Sequence, residues 1–243
     1  MIRDITAMIW KEWRELVFLR SGKVGLFILL GVFGILMPLQ SGPAWLLSPL
    51  NTVYWIWVPL LQVTTLIADF FVGEKERHTL ETLLASRLPG PAILIGKAVV
   101  AIAYGWGLMV AILLAGAITV NLAYGSQGLL FYPLSTFFTW LAFGLAGAGL
   151  VGGIAVLIAM RFSTVRQAVQ MMNLGILIFI WLPLLGLQAL PASVRAQLFR
   201  GLQGMDPLVL TIILFGGLIL VDLALFYWAT RRFQREKLIL NEY

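Results

Sequence analysis

Residues 98–120 read AVVAIAYGWGLMVAILLAGAITV, 23 positions without a charged side chain. A helix rises 1.5 Å per residue, so about 20 apolar residues cross the roughly 30 Å hydrocarbon layer of a bilayer. The stretch is continuously apolar and does not alternate in ten-residue pieces, which makes it a helix rather than a barrel strand. Five more runs share this character: residues 24–39, 52–72, 133–160, 171–190 and 208–230. The first has only 16 residues, and extending it through the Pro38–Pro43 turn would strain it; the fourth has 28 and is expected to tilt or break. Pro59 and Pro183 predict kinks in the second and fifth helices, since each removes a backbone donor. The expected fold is an all-α membrane protein with six transmembrane helices across residues 24–230. An amphipathic interfacial helix at 1–23 precedes them, and a basic tail at 231–243 follows.

Composition points the same way. Of 243 residues, 60% are apolar and 12% charged, against roughly 25% charged in a soluble domain. A net charge of +6 would suggest nucleic acid in a soluble protein, but the placement of the basic residues explains it without one. In the six-span scheme 15 of the 17 Lys and Arg residues fall on one side, leaving only Arg195 and Arg200 on the other. Positive residues stay cytoplasmic, so both termini are expected inside the cell membrane. Trp45, Tyr54, Trp55 and Trp57 would then mark an outer boundary, and Phe226, Tyr227 and Trp228 an inner one. No cleavable signal peptide is expected, because the first 23 residues are too long and too acidic for an n-region.

Two cytoplasmic pieces carry pattern. Residues 2–19 place Ile2, Ile5, Ile9, Trp13, Leu16 and Val17 near one helical face, as an interfacial helix requires, with Lys11 one turn from Glu15. Such a helix could simply anchor the first span or also touch a partner. Residues 73–97 read GEKERHTLETLLASRLPGPAILIGK. Early acids, leucines at 80, 83, 84 and 88, and Arg87 in the last turn describe an amphipathic helix aligned with its dipole, stopped by Pro89, Gly90 and Pro91. Exposed leucines need cover, from lipid headgroups or another protein.

The run Glu74, Lys75, Glu76, Arg77, then Thr79, Leu80, Glu81, Leu83 and Leu84, with Gly96 and Lys97 beyond, resembles the signature of type-2 ABC-transporter permeases, the membrane subunits of ATP-driven exporters. The motif covers about 25 residues, and the similar topology covers nearly the whole chain. His78 stands where the family usually has Gly, and Pro89 follows the leucine pair later than usual, with Arg87 near that place. The resemblance implies a coupling helix over residues 74–88 that rests on an ATPase subunit through Glu74, Glu76, Arg77, Thr79, Glu81, Leu84 and Arg87. A smaller second contact would involve Arg161 and Arg166. It further implies two copies of an ATP-binding subunit, a second permease copy or homologous permease, and ATP and Mg on that partner. Residues 191–207 resemble the short external helices of the family, and equally an ordinary amphipathic connector.

Polar groups within the spans carry two readings each. Gln62, Thr65 and Asp69 form one stripe on the second span, for interhelical hydrogen bonding or for a translocation path or dimer seam. Asp222 lies about two turns inside the last span, where inserting an acid at a helix centre costs on the order of 2.5–3.5 kcal/mol. Asn173, Gln170 and Arg161 are depth-compatible partners. Gly144, Ala148 and Gly152, with Gly149 and Gly153, form a small-residue packing face, within the chain or against a second copy.

This chain itself is expected to bind no cofactor and to catalyse nothing. Residues 90–98 only superficially match a phosphate loop: the glycine spacing is one too long, Ala98 stands where Ser or Thr would bind magnesium, and no strand precedes. One His and no Cys leave almost no zinc ligands. Two other functions fit the same spans: an ion-coupled secondary transporter using Asp69 or Asp222, or a non-transporting membrane scaffold.

Overall fold

The computed structural model describes residues 1–18, 23–48, 58–79, 87–125, 128–195, 197 and 206–233. Among these the secondary structure is helical, without a strand. Helix α1 is Ile2–Phe18. Helix α2 (residues 23–41) passes through a wide π-helical stretch, Leu30–Leu36, and the short α3 follows at Ala44–Leu47. Helix α4 (residues 58–76) opens with a 3-10 turn at Val58–Leu60 and includes a π-helical stretch at Asp69–Gly73. Four long helices complete the chain: α5 Gly90–Tyr124, α6 Leu134–Ala159, α7 Val165–Ala189 and α8 Pro207–Arg232.

Three helices are long and apolar enough to cross a membrane: α5, α6 and residues Leu208–Arg232 of α8. Their outward side chains are apolar, among them Leu114, Ile118 and Leu122 on α5 and Ile212, Ile213 and Leu220 on α8. Exposed apolar helix faces on this scale suit lipid, and the chain reads as a membrane protein.

Local chemistry sets the helix limits. Pro91 sits in the first turn of α5, where its missing N–H costs nothing. Asp206 caps α8 by accepting from Leu208 N at 2.9 Å. The strain expected near Pro38 is resolved by neighbours. Pro38 and Pro43 have no N–H to offer the carbonyls four residues back, those of Gly34 and Leu39. Thr119 and Tyr124 of α5 donate to these two carbonyls, both at 2.8 Å. The π-helical stretch ahead of Pro38 widens the turn that its ring would otherwise crowd. Helix α2 therefore runs on through Pro38 to Ser41 and ends at Gly42, whose φ is +58°.

The fourth apolar run, expected to tilt or break, is unbroken: α6 is one helix of 26 residues. Trp45, expected at an outer boundary, is 2% exposed and belongs to a core with Leu113, Tyr132 and Trp140 along the second half of α5. Tyr54, Trp55 and Trp57 lie outside the described residues. Helix α7 continues through position 183, and Pro59 sits in the opening 3-10 turn of α4. A second core, along the first half of α5, joins α1, α4, α6, α7 and the end of α8.

Candidate functional site

Lys97 enters this second core from α5 with no exposed surface, and Glu12 of α1 meets it at 1% exposure. Lys97 Nζ donates to Glu12 Oε1 at 2.9 Å, to Glu74 Oε1 at 2.7 Å and to the Phe70 carbonyl at 3.0 Å. An ammonium has three N–H bonds, and each has an acceptor. The rings of Phe70 and Phe71 lie 5.5 and 5.9 Å from the nitrogen. Lys11 closes the rim, 3.1 Å from Glu12, 3.5 Å from Glu74 and 3.4 Å from Glu15. Burial pulls the Lys11 pKa down, and the charge and hydrogen bond of Glu12, aided by Glu74 and Glu15, more than offset it, so the pKa stands above the usual lysine value.

Gly96 explains how α1 comes close enough. A Cβ at this position would lie 2.7 Å from Met8 Cβ, so only glycine admits the contact. The packed face of α1 is centred on Met8 and Glu12, with Ile5, Ile9 and Leu16 beside them. Ile2, at 81% exposed, and Trp13 lie off this packed face. Glu12 was missed by the sequence reading. The available signal was an acid one turn from each of Met8 and Leu16, in the middle of an apolar stripe.

Helix α4 ends in a Schellman motif. His78 N donates to the Lys75 carbonyl at 3.1 Å and Thr79 N to the Glu74 carbonyl at 2.9 Å, with His78 at φ +55°. The expected single helix over 74–88 is therefore corrected: it stops at Glu76, and residues 77–79 form the cap. His is among the residues enriched in the left-handed conformation that position 78 takes. Residues 80–86, with Glu81 and Leu84, lie outside the described residues.

The same segment reaches two more elements. Glu76 Oε1 accepts from Val165 N at 3.0 Å, capping α7, whose own Thr164 provides no side-chain cap. Asp69 pairs with Arg77 at 3.3 Å across Gly73, where a Cβ would lie 2.9 Å from Asp69 Oδ1. Glu74 is turned inward to Lys97, while Glu76, Arg77, Thr79, Arg87, Arg161 and Arg166 are exposed. Residues 74–77 thus bridge α1, α5 and α7 by charge and hydrogen bonds.

The polar stripe of α4 does not satisfy itself. Gln62 is half-buried, Thr65 is exposed with its hydroxyl 3.5 Å from the Leu61 carbonyl, and Asp69 is taken by Arg77. The interhelical contact comes instead from Thr64, buried on the adjoining face, whose hydroxyl lies 3.1 Å from Asn173 Oδ1. Asn173 is therefore not the partner of Asp222. Asp222 Oδ1 is shielded from solvent and has no hydrogen-bond partner among the described residues. The carboxyl lies over Gly149, where a Cβ would stand 2.7 Å from Oδ2. The small-residue face packs within the chain: Gly149 and Gly153 against α8, Gly144 and Gly152 against α5, with Ala148 fully buried. Among the described residues, no three His, Asp or Glu side chains converge to hold a metal ion.

No protein-family model and no curated protein matches the chain.

Proposed function

We propose that this chain is the permease subunit of an ATP-driven exporter. It would span the cell membrane six times with both termini inside and pair with a second permease copy over two ATP-binding subunits. The observation that carries the reading is the bridge at residues 74–77. Glu76 caps α7 at Val165, and Glu74 holds Lys97 together with Glu12. The start of one segment that resembles an ATPase contact, residues 74–77, is thereby fastened to the other at Val165 and to α1. A push on the exposed Arg77, Thr79 and Arg87 would move α1, α4, α5 and α7 as one block, which is what rigid-body coupling needs. The exposed polar groups of α4 and α7, Thr65 and Asn173, would face the path or the second copy. Purification of the tagged protein in mild detergent from its native membrane is expected to bring a stoichiometric ATPase with vanadate-sensitive turnover. Glu81→Lys is expected to release that ATPase without unfolding the helices, and a partner that stays bound argues against the coupling assignment.

A second reading rests on Asp222, whose shielded oxygen lacks a partner among the described residues. An ion-coupled transporter would use it as a proton carrier. That reading predicts transport in vesicles without any ATPase, abolished by Asp222→Asn. Asp69, held by Arg77, suits that role less.

A further inference from the structure

The ends of α6, α7 and α8 enclose a partly open cavity of about 360 Å³ that the exporter reading does not use. Its walls are of two kinds. Ile154, Leu157 and Met171 form an apolar slot, and Arg161, Arg232 and Trp228 stand at the helix-end rim. Trp228 is half-exposed, and the Arg232 guanidinium lies 4.7 Å from the centre of its ring. This contact holds one cation at the mouth of the cavity. Among the described residues, neither Arg161 nor Arg232 makes an ion pair.

We propose that this cleft binds one anionic phospholipid of the surrounding bilayer, with its phosphate between Arg161 and Arg232 and an acyl chain along Leu157 and Ile154. Three observations select that occupant. Two cations without acids among the described residues call for an anion, the slot beneath them calls for hydrocarbon, and exposed Trp228 and Tyr227 mark the level where headgroups meet acyl chains. Basic pockets between membrane helices take acidic headgroups on this principle. The carbonyl ends of α6 and α8 point toward this rim and repel an anion. Selectivity therefore depends on the two guanidinium groups, each contributing about five-fold. The proposal requires the bilayer alone and stands apart from the exporter reading.

The test is native mass spectrometry of the full chain in detergent with added phosphatidylglycerol or phosphatidylcholine of identical acyl chains. Wild type is expected to retain phosphatidylglycerol by about 25-fold over phosphatidylcholine, two five-fold steps multiplied. Arg161→Gln/Arg232→Gln is expected to bring the two lipids near parity with an unchanged melting temperature, while Arg166→Gln, outside the cavity, keeps the preference. Leu157→Trp, which fills the slot, is expected to lower retention of both lipids. Equal retention by wild type overturns the proposal, and that arm decides even if the double variant does not fold. Displacement by millimolar glycerol 3-phosphate overturns it in favour of a soluble anion. A preference unchanged in the double variant, with ATPase binding lost, overturns it in favour of a protein contact at Arg161.

Discussion

Removing the Lys97 ammonium would leave Glu12 and Glu74 facing each other inside the helix bundle. Taking away one partner of a buried ion pair costs about 3–5 kcal/mol, because the remaining charge has neither water nor counter-ion. Lys11, which reaches both carboxylates from the rim, places the loss at the lower end. Lys97→Met is therefore expected to destabilise the protein by about 3 kcal/mol, read as a lowered thermal midpoint in detergent. Adding Glu12→Leu is expected to recover part of the loss, since it removes the fully buried carboxylate and leaves Glu74 with Lys11 at the rim. A single variant as stable as the parent would mean that the cluster is hydrated and not a lock. Lys97 was visible in the sequence as half of the Gly96–Lys97 pair, but its partner was not. No acid lies within one turn of it on its own helix, and nothing local in α1 announces a contact 85 residues away.

At the scale of elements, the docking of α1 rests on one missing side chain. Gly96→Val would drive a branched carbon into Met8 and part α1 from α5, an overpacking cost of about 1–3 kcal/mol. Separation would also free α1 to unwind around Lys11 and Arg14, so trypsin is expected to cut within α1 at least several times faster than in the parent. Met8→Ala in the same chain makes room and is expected to restore protection; unchanged cleavage in Gly96→Val would show that α1 is not held here. The long helices were legible because unbroken apolar runs leave few alternatives, and each of the six runs contains helix. Their ends were less so. The stop at Glu76 depends on His78 taking a left-handed conformation, which composition does not disclose. The passage of α2 through Pro38 depends on Thr119 and Tyr124, donors supplied from another helix. Amphipathic spacing told which faces of α1 are apolar, but not which of them meets protein and which meets lipid.

Over the whole molecule, the arrangement in the bilayer turns on whether α7 crosses. Its 25 residues rise about 37 Å as a helix, enough to span with some tilt. The proposed six-span arrangement requires the crossing: without it Arg161, Arg166, Arg195 and Arg200 would share a side, and the 15-to-2 division of basic residues on which that arrangement rests would be lost. These 243 residues include no cysteine, so single cysteines report position without background. Three exposed positions decide: Leu129 between α5 and α6, Arg166 at the start of α7, and Val194 beyond its end. In right-side-out vesicles an impermeant maleimide is expected to label Leu129→Cys and Val194→Cys at once, and Arg166→Cys only after the membrane is opened. If Val194→Cys and Arg166→Cys label together, α7 lies on one side and the six-span arrangement fails. The exposed groups at residues 76–79 and 161–166 would then have no fixed relation to the cytoplasm. If Arg166→Cys alone is protected, the charged bridge faces inward, where an ATPase can reach it.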